Sequence, residues 1–297
     1  MANDVLIGVI GGTGVDQALG LEGERQELIE TPFGSPSSAI TLAQWEGIRV
    51  AVLKRHGEGH ILNPSRVPFR ANIFALKALG VTHLVATGAT GSLRDEFSPC
   101  DLVIPDQIID RTRGRAATFY ESAAVHVAMA EPFCPVVRQW LLGAAGALGG
   151  VRVHPRGTYV CMEGPAFSTR AESLMHRQWG GDLIGMTAMP EAKLAREAEI
   201  AYGMIALPTD FDCWRPRDPG ARGDVLSEII ENLQKVTARG LELLKSALRD
   251  VSILLKTPSP AHQALRHAIW SEKSRIGPDE IERLAPLWGR YFRGSAS

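Results

Sequence analysis

Short apolar runs alternate along this chain with longer segments whose apolar positions recur at helical spacing, and that alternation predicts a layered α/β domain. Residues 6–10, 49–53, 82–86 and 200–207 read as buried strands, the last carrying Ile200, Tyr202, Met204, Ile205 and Leu207. Phe69, Ile73, Leu76 and Leu79 share one face of a helix over residues 68–79, and Gly80 supplies its stop. Residues 135–148 form an Ala- and Leu-rich helical pattern, and Pro190 suits the first position of a helix reaching Glu199. Leu226, Ile230, Leu233, Val236 and Leu244 mark a long amphipathic helix starting at Asp224. Val103, Ile104, Ile108 and Ile109 suggest a strand region broken at Pro105, and residues 264–270 predict one further helix. Ligands of such folds bind at strand ends, so the residues at those ends are the first candidates for chemistry.

Asp210 and Asp212 follow the strand over residues 200–207. Alternate side chains of an extended segment point the same way, so the two acids face one pocket. Crowded carboxylates resist ionising together, which leaves one able to hold a proton near neutral pH and donate it. The alternative is that they cap the next element or pair with Arg215 and Arg217. Residues 6–10 run into Gly11, Gly12, Thr13 and Gly14, a turn able to present N–H groups to an anion, though its spacing is neither that of the P-loop nor that of the dinucleotide fingerprint. Residues 49–53 end in Lys54, Arg55 and His56, where a guanidinium can fork onto phosphate. Residues 82–86 run out into Thr87, Gly88, Ala89, Thr90, Gly91 and Ser92. Each exit alone reads more often as a plain turn or a solvated cation; three in one chain are hard to dismiss as unrelated turns and are together candidates to hold a phosphate. The Pro- and Gly-rich stretch over 215–223 is read as a mobile loop beside the acids or as a surface linker.

Composition narrows the class without choosing within it. The chain has 297 residues, 45% of them hydrophobic, enough for a large core in one α/β domain or two closely packed ones. A net charge of -1 offers no attraction for nucleic acid or an anionic membrane. Cys100, Cys134, Cys161 and Cys213 show no metal-ligand spacing, so a reduced, cytoplasmic protein is expected. No apolar run reaches transmembrane length, and no signal core precedes the first strand.

Several strings resemble the methylthioadenosine phosphorylase branch of the purine nucleoside phosphorylases: GVIGGTG at 8–14, RHG at 55–57, NPSRVPFRANIFALKALG at 63–80 and GSLRDE at 91–96. DQIIDRT at 106–112, MAEPFCP at 129–135, EGPAFSTRAES at 163–173, MTAMPEAKLAREA at 186–198 and TDFDCW at 209–214 continue the resemblance in order. It implies a mixed central β-sheet flanked by helices, with a phosphorylase domain over residues 1–250 and a helical extension over 251–297 packed on the same domain. It implies phosphorolysis of a purine nucleoside, 5′-methylthioadenosine first, with adenosine or 6-oxopurine nucleosides as the alternative. Phosphate is then a co-substrate, and neither metal nor organic cofactor is required. By the same resemblance Thr13, Arg55, His56, Ala89 and Thr187 contact phosphate, Met186 lies under the ribose, and Phe167 packs on the purine. Asp210 and Asp212 serve the base, and His126 reaches the 5′ side of a neighbouring subunit's site in a homotrimer. The sequence departs from the pattern at Gly88, where the human family member has threonine, at Ala166, where arginine is usual, and at Gly223 in the stretch facing the 5′ substituent.

Overall fold

A mixed β-sheet with helices on its faces organises the computed structural model, which describes residues 5–12, 20–216 and 225–292. Its strands are β1 (Leu6–Gly11), β2 (Glu22–Glu27), β3 (Ile40–Trp45), β4 (Ile48–Lys54), β5 (His83–Ser92), β6 (Leu102–Val103), β7 (Gln107–Arg111), β8 (Val153–His154), β9 (Thr158–Met162), β10 (Leu183–Gly185) and β11 (Ala201–Phe211). The main path runs β2-β3-β4-β1-β5-β10-β9-β7, while β11 pairs with β5 and carries β6 and β8 beyond it. The central strands are apolar on both faces, as helix-covered parallel strands must be: every residue of β1 is buried, and so are the first nine of β11.

The helices are α1 (Phe69–Ala78), α2 (Pro135–Ala144), α3 (Arg170–Gln178), α4 (Ala188–Glu197), α5 (Val225–Leu248), α6 (Ser252–Lys256), α7 (Pro278–Arg283) and α8 (Ala285–Trp288). The expected helices over 68–79, over 135–148 and from Asp224 are present with small shifts of boundary. In α4 the first turn is interrupted at Met189 (φ -119°, ψ 138°), so the regular helix does begin at Pro190. The helix α3 was not expected, although Thr169 and Glu172 form a capping box that its sequence spacing signals.

Three sequence expectations need correcting. β5 does not end at Ala86 but continues through the TGATGS string to Ser92, because β11 pairs with it along that whole length. β11 itself runs on to Phe211, with a register irregularity between Pro208 and Asp210, since proline has no N–H for the ladder. Residues 264–270 form turns and a bridge instead of a helix. Ile269 bridges Val125, His126 N donates to the Ala268 carbonyl at 2.9 Å, and Leu265 N donates to the Glu199 carboxylate at 3.0 Å. Those long-range partners outweigh the local helical pattern.

The C-terminal segment packs on the same core as α1. Trp288 is fully buried, its ring 4.7 Å from that of Tyr120, and the Tyr291 hydroxyl donates to Glu199 at 2.6 Å. Among the described residues, no helix is long and apolar enough to cross a membrane.

Candidate active site

The sheet creates the site by changing partners along one edge of β5. That edge pairs with β1 as far as Ala86 and with β10 from Gly91 onward, and among the described residues no strand pairs with it in between. Arg55 Nη1 donates to the Thr87 carbonyl at 2.8 Å, which fixes the direction in which Thr87 faces. Strand alternation then turns the N–H of Ala89 toward the same unpaired edge. A cavity of about 270 Å³ opens there, lined by Arg55, His56, residues 87–91, Phe167, residues 184–187, Asp210, Asp212 and the inner face of α5.

Arg55 is fully buried, and Glu191 of α4 holds it. Its Nε and Nη2 donate to the two Glu191 oxygens at 2.8 and 3.0 Å, and the Tyr202 hydroxyl donates to Glu191 at 2.8 Å. A carboxylate thus takes the Nε edge of the guanidinium, which the sequence did not indicate. Of five N–H donors three are committed, leaving one on each Nη for a ligand. Burial works against the charge of Arg55 and the carboxylate of Glu191 outweighs it, so the guanidinium pKa is raised. His56 lies beside it with Nδ1 2.7 Å from the Leu62 carbonyl. A carbonyl only accepts, so Nδ1 carries the hydrogen, and Nε2 of the neutral ring is an acceptor. Burial first and the charge of Arg55 second push the His56 pKa down to about 4, so the ring is neutral at pH 7. A neutral imidazole suits the O–H of a monoprotonated phosphate. Thr187, buried at the N-cap of α4, adds its hydroxyl, and the hydroxyls of Thr87 and Thr90 are buried in the same cavity with no protein partner.

Four residues further along β5, about 13 Å of strand, lie the acids. Gly91 allows their approach: a Cβ there would stand 3.2 Å from Asp212 Cβ and 3.5 Å from Asp210 Oδ2. Both acids line the cavity, as the alternation of an extended segment predicted. Arg215 pairs with Asp95 at 3.7 Å and stacks on Phe211, and Arg217 lies outside the described residues. Burial lifts the Asp210 pKa to about 6; the Thr209 hydroxyl, 2.6 Å away, opposes that, while Asp212 and Glu228 add to it. One Asp212 oxygen, Oδ2, is buried without a hydrogen-bond partner. A proton donor and an acceptor therefore face one apolar-walled space, whose lining also includes the exposed Phe167 and Met186.

Comparison with known proteins identifies the family. The family model described as the phosphorylase superfamily matches residues 6–249. The chain belongs to that superfamily. It is 49% identical over 288 residues to an S-methyl-5′-thioadenosine phosphorylase of Chloroflexus aurantiacus, covering 96% of this chain and 98% of the relative. Against the Synechocystis protein of the same name the identity is 46% over 291 residues, with 96% and 87% covered. Among solved structures, a methylthioadenosine phosphorylase from an antarctic soil metagenomic library superposes with a TM-score of 0.87 at 47% identity, covering 96% and 99% of the two chains. The Schistosoma mansoni methylthioadenosine phosphorylase in complex with adenine gives 0.79 at 36% identity, covering 90% and 99%.

Within this phosphorylase fold the remaining candidates fall into three groups. Thr13 and Gly223 lie outside the described residues. His126 is exposed, with its ring 4.7 Å from that of Trp270, and does not line the cavity of its own chain. Ala166 is exposed outside the lining, whereas Gly88 lies inside it, where a Cβ would come within 3.1 Å of Thr187 Oγ1 and 2.9 Å of Met204 Cε. Sequence reasoning missed Glu191 and Arg115. The first had a signal, an acid on the apolar face of a helix just after Pro190; the second had none.

Proposed function

We propose that this chain cleaves the N-glycosidic bond of 5′-methylthioadenosine with inorganic phosphate, releasing adenine and 5-methylthioribose 1-phosphate. One observation carries the reading: a single cavity joins a buried, charge-locked arginine to a pair of acids, buried Asp212 and half-buried Asp210, the latter with a pKa lifted to about 6. Phosphate on Arg55, His56, Thr187, the Ala89 amide and Thr13 attacks the anomeric carbon of a ribose lying on Met186. Cleavage puts negative charge on the departing purine, and Asp210 neutralises it by proton or hydrogen bond at N7 while Asp212 accepts from the 6-amino group. Phe167 covers the base.

The reading includes a homotrimer in which His126 serves a neighbour's site, a cytoplasmic location in keeping with four free cysteines, and no need of metal or organic cofactor. Steady-state adenine release from methylthioadenosine tests it. Release should require phosphate, persist after dialysis against a chelator, and yield the sugar 1-phosphate stoichiometrically. Equal release in phosphate-free buffer would make the protein a hydrolase and sink the proposal.

A further inference from the structure

Residues 186–189 carry two of the expected ligand contacts, yet no regular ladder holds them. Thr187 (φ -124°, ψ -20°) and Met189 (φ -119°, ψ 138°) are both off helical geometry, and the Thr187 amide makes only a long contact, 3.4 Å, to the Tyr159 hydroxyl. Besides the Met189 amide, which donates to Cys161 Sγ at 3.2 Å, what fixes the segment is Arg115, whose side chain is 3% exposed and which does not itself line the cavity. Arg115 Nη1 donates to the carbonyls of Met186 at 2.8 Å and Met189 at 2.6 Å, so one guanidinium nitrogen holds both ends. Its Nη2 donates to the Glu163 carbonyl at 2.5 Å and its Nε to Glu163 Oε1 at 3.1 Å. Glu163 also accepts from Ser65 Oγ at 2.5 Å, beside cavity-lining Pro64, and from the Arg113 amide at 2.6 Å.

We propose that Arg115 is a positioning residue for the reaction: through Glu163 it locks the Met186–Thr187 segment against the 64–66 wall and so sets where phosphate and sugar sit. The inference rests on the reading above that Thr187 meets phosphate and Met186 the ribose. Its physical basis is that only a planar, always-charged fork can satisfy three carbonyls and a carboxylate at once. Asp210 on β11 and Asp212 just beyond its end make no hydrogen bond or ion pair with the clamp, so base recognition and phosphate recognition should come apart when it is removed.

Arg115→Ala is measured for adenine release at varied phosphate and at varied nucleoside. Binding to the enzyme alone is read separately, as the rise in Tm with inorganic phosphate and by calorimetry with adenine. The expected result is a fall of about 10²-fold in kcat/KM for phosphate, the scale set by misplacing a contact by roughly 1 Å, and a matching loss of the phosphate-dependent rise in Tm. Adenine affinity should change by less than about threefold, well under 1 kcal/mol by the usual logarithm. Equal losses for phosphate and adenine, or an unchanged phosphate response, would overturn the assignment. Should Arg115→Ala fail to fold, Glu163→Gln keeps the shape and weakens the clamp; the same asymmetry at smaller size supports the proposal, and wild-type constants for both ligands overturn it. The melting arm keeps the two ideas separable. A wild type that binds phosphate but releases no adenine refutes phosphorolysis and still tests the clamp, whereas a wild type with no phosphate response refutes both.

Discussion

At the scale of single residues, the choice of purine rests on Asp210. Its folded pKa of about 6 lies above the ordinary aspartate value of 3.8, chiefly through burial. A raised value means the folded state favours the protonated acid, so what that proton stabilises is complete below the ordinary value and lost as pH rises through about 6. The kcat/KM for nucleoside at saturating phosphate should therefore fall as pH climbs through that value. Asp210→Asn should erase this limb and lower methylthioadenosine cleavage by about 10²- to 10⁴-fold, the usual worth of a positioned acid. It should also relax the preference toward inosine, because the new amide N–H₂ beside N7 can donate to the neighbouring 6-oxo group, which the Asp212 carboxylate alone repels. A pH–rate profile from 5 to 9 on both proteins checks this, and an Asn variant with full adenine release would remove Asp210 from its assigned role.

At the scale of elements, the site depends on β5 staying a strand through a string that reads as a turn. Glycine and threonine in TGATGS suggest a loop because local propensity is all that a sequence window contains, whereas the ten-residue ladder to β11 comes from residues more than a hundred positions away. The helices α1, α2 and α5 were legible because their period is local, and so was the shared facing of Asp210 and Asp212. What the sequence did not show was the buried partner of Arg55, because Glu191 lies 136 positions away. The small residues of β5 are a packing requirement too. At Gly88, Thr187 Oγ1 stands where a side-chain hydroxyl would go, so Gly88→Thr overfills a buried contact with Met204. The substitution should cost about 1–3 kcal/mol of stability in urea unfolding and raise the phosphate KM more than the nucleoside KM, even though it restores the human family member's residue. A variant that gains both stability and phosphate affinity would contradict this packing.

At the scale of the whole molecule, one chain leaves a candidate group unused. His126 and Trp270, the latter 72% exposed, sit together on the surface, held by the bridge between Val125 and Ile269 and outside the cavity of their own chain. In the proposed homotrimer that surface meets a neighbour, and His126 completes the neighbour's 5′ pocket. Light scattering should then return about three times the 32.2 kDa chain mass. Mixing gives the sharper test. His126→Ala and Asp210→Asn subunits should each be impaired as pure assemblies, for different reasons. Co-expressed, they form mixed trimers in which an intact Asp210 on one chain can face an intact His126 from the next, so activity should rise above the average of the two parents. A site built wholly within one chain has no such pairing to recover, and the mixture would then show the parental average; a fully active monomer would refute the shared site outright.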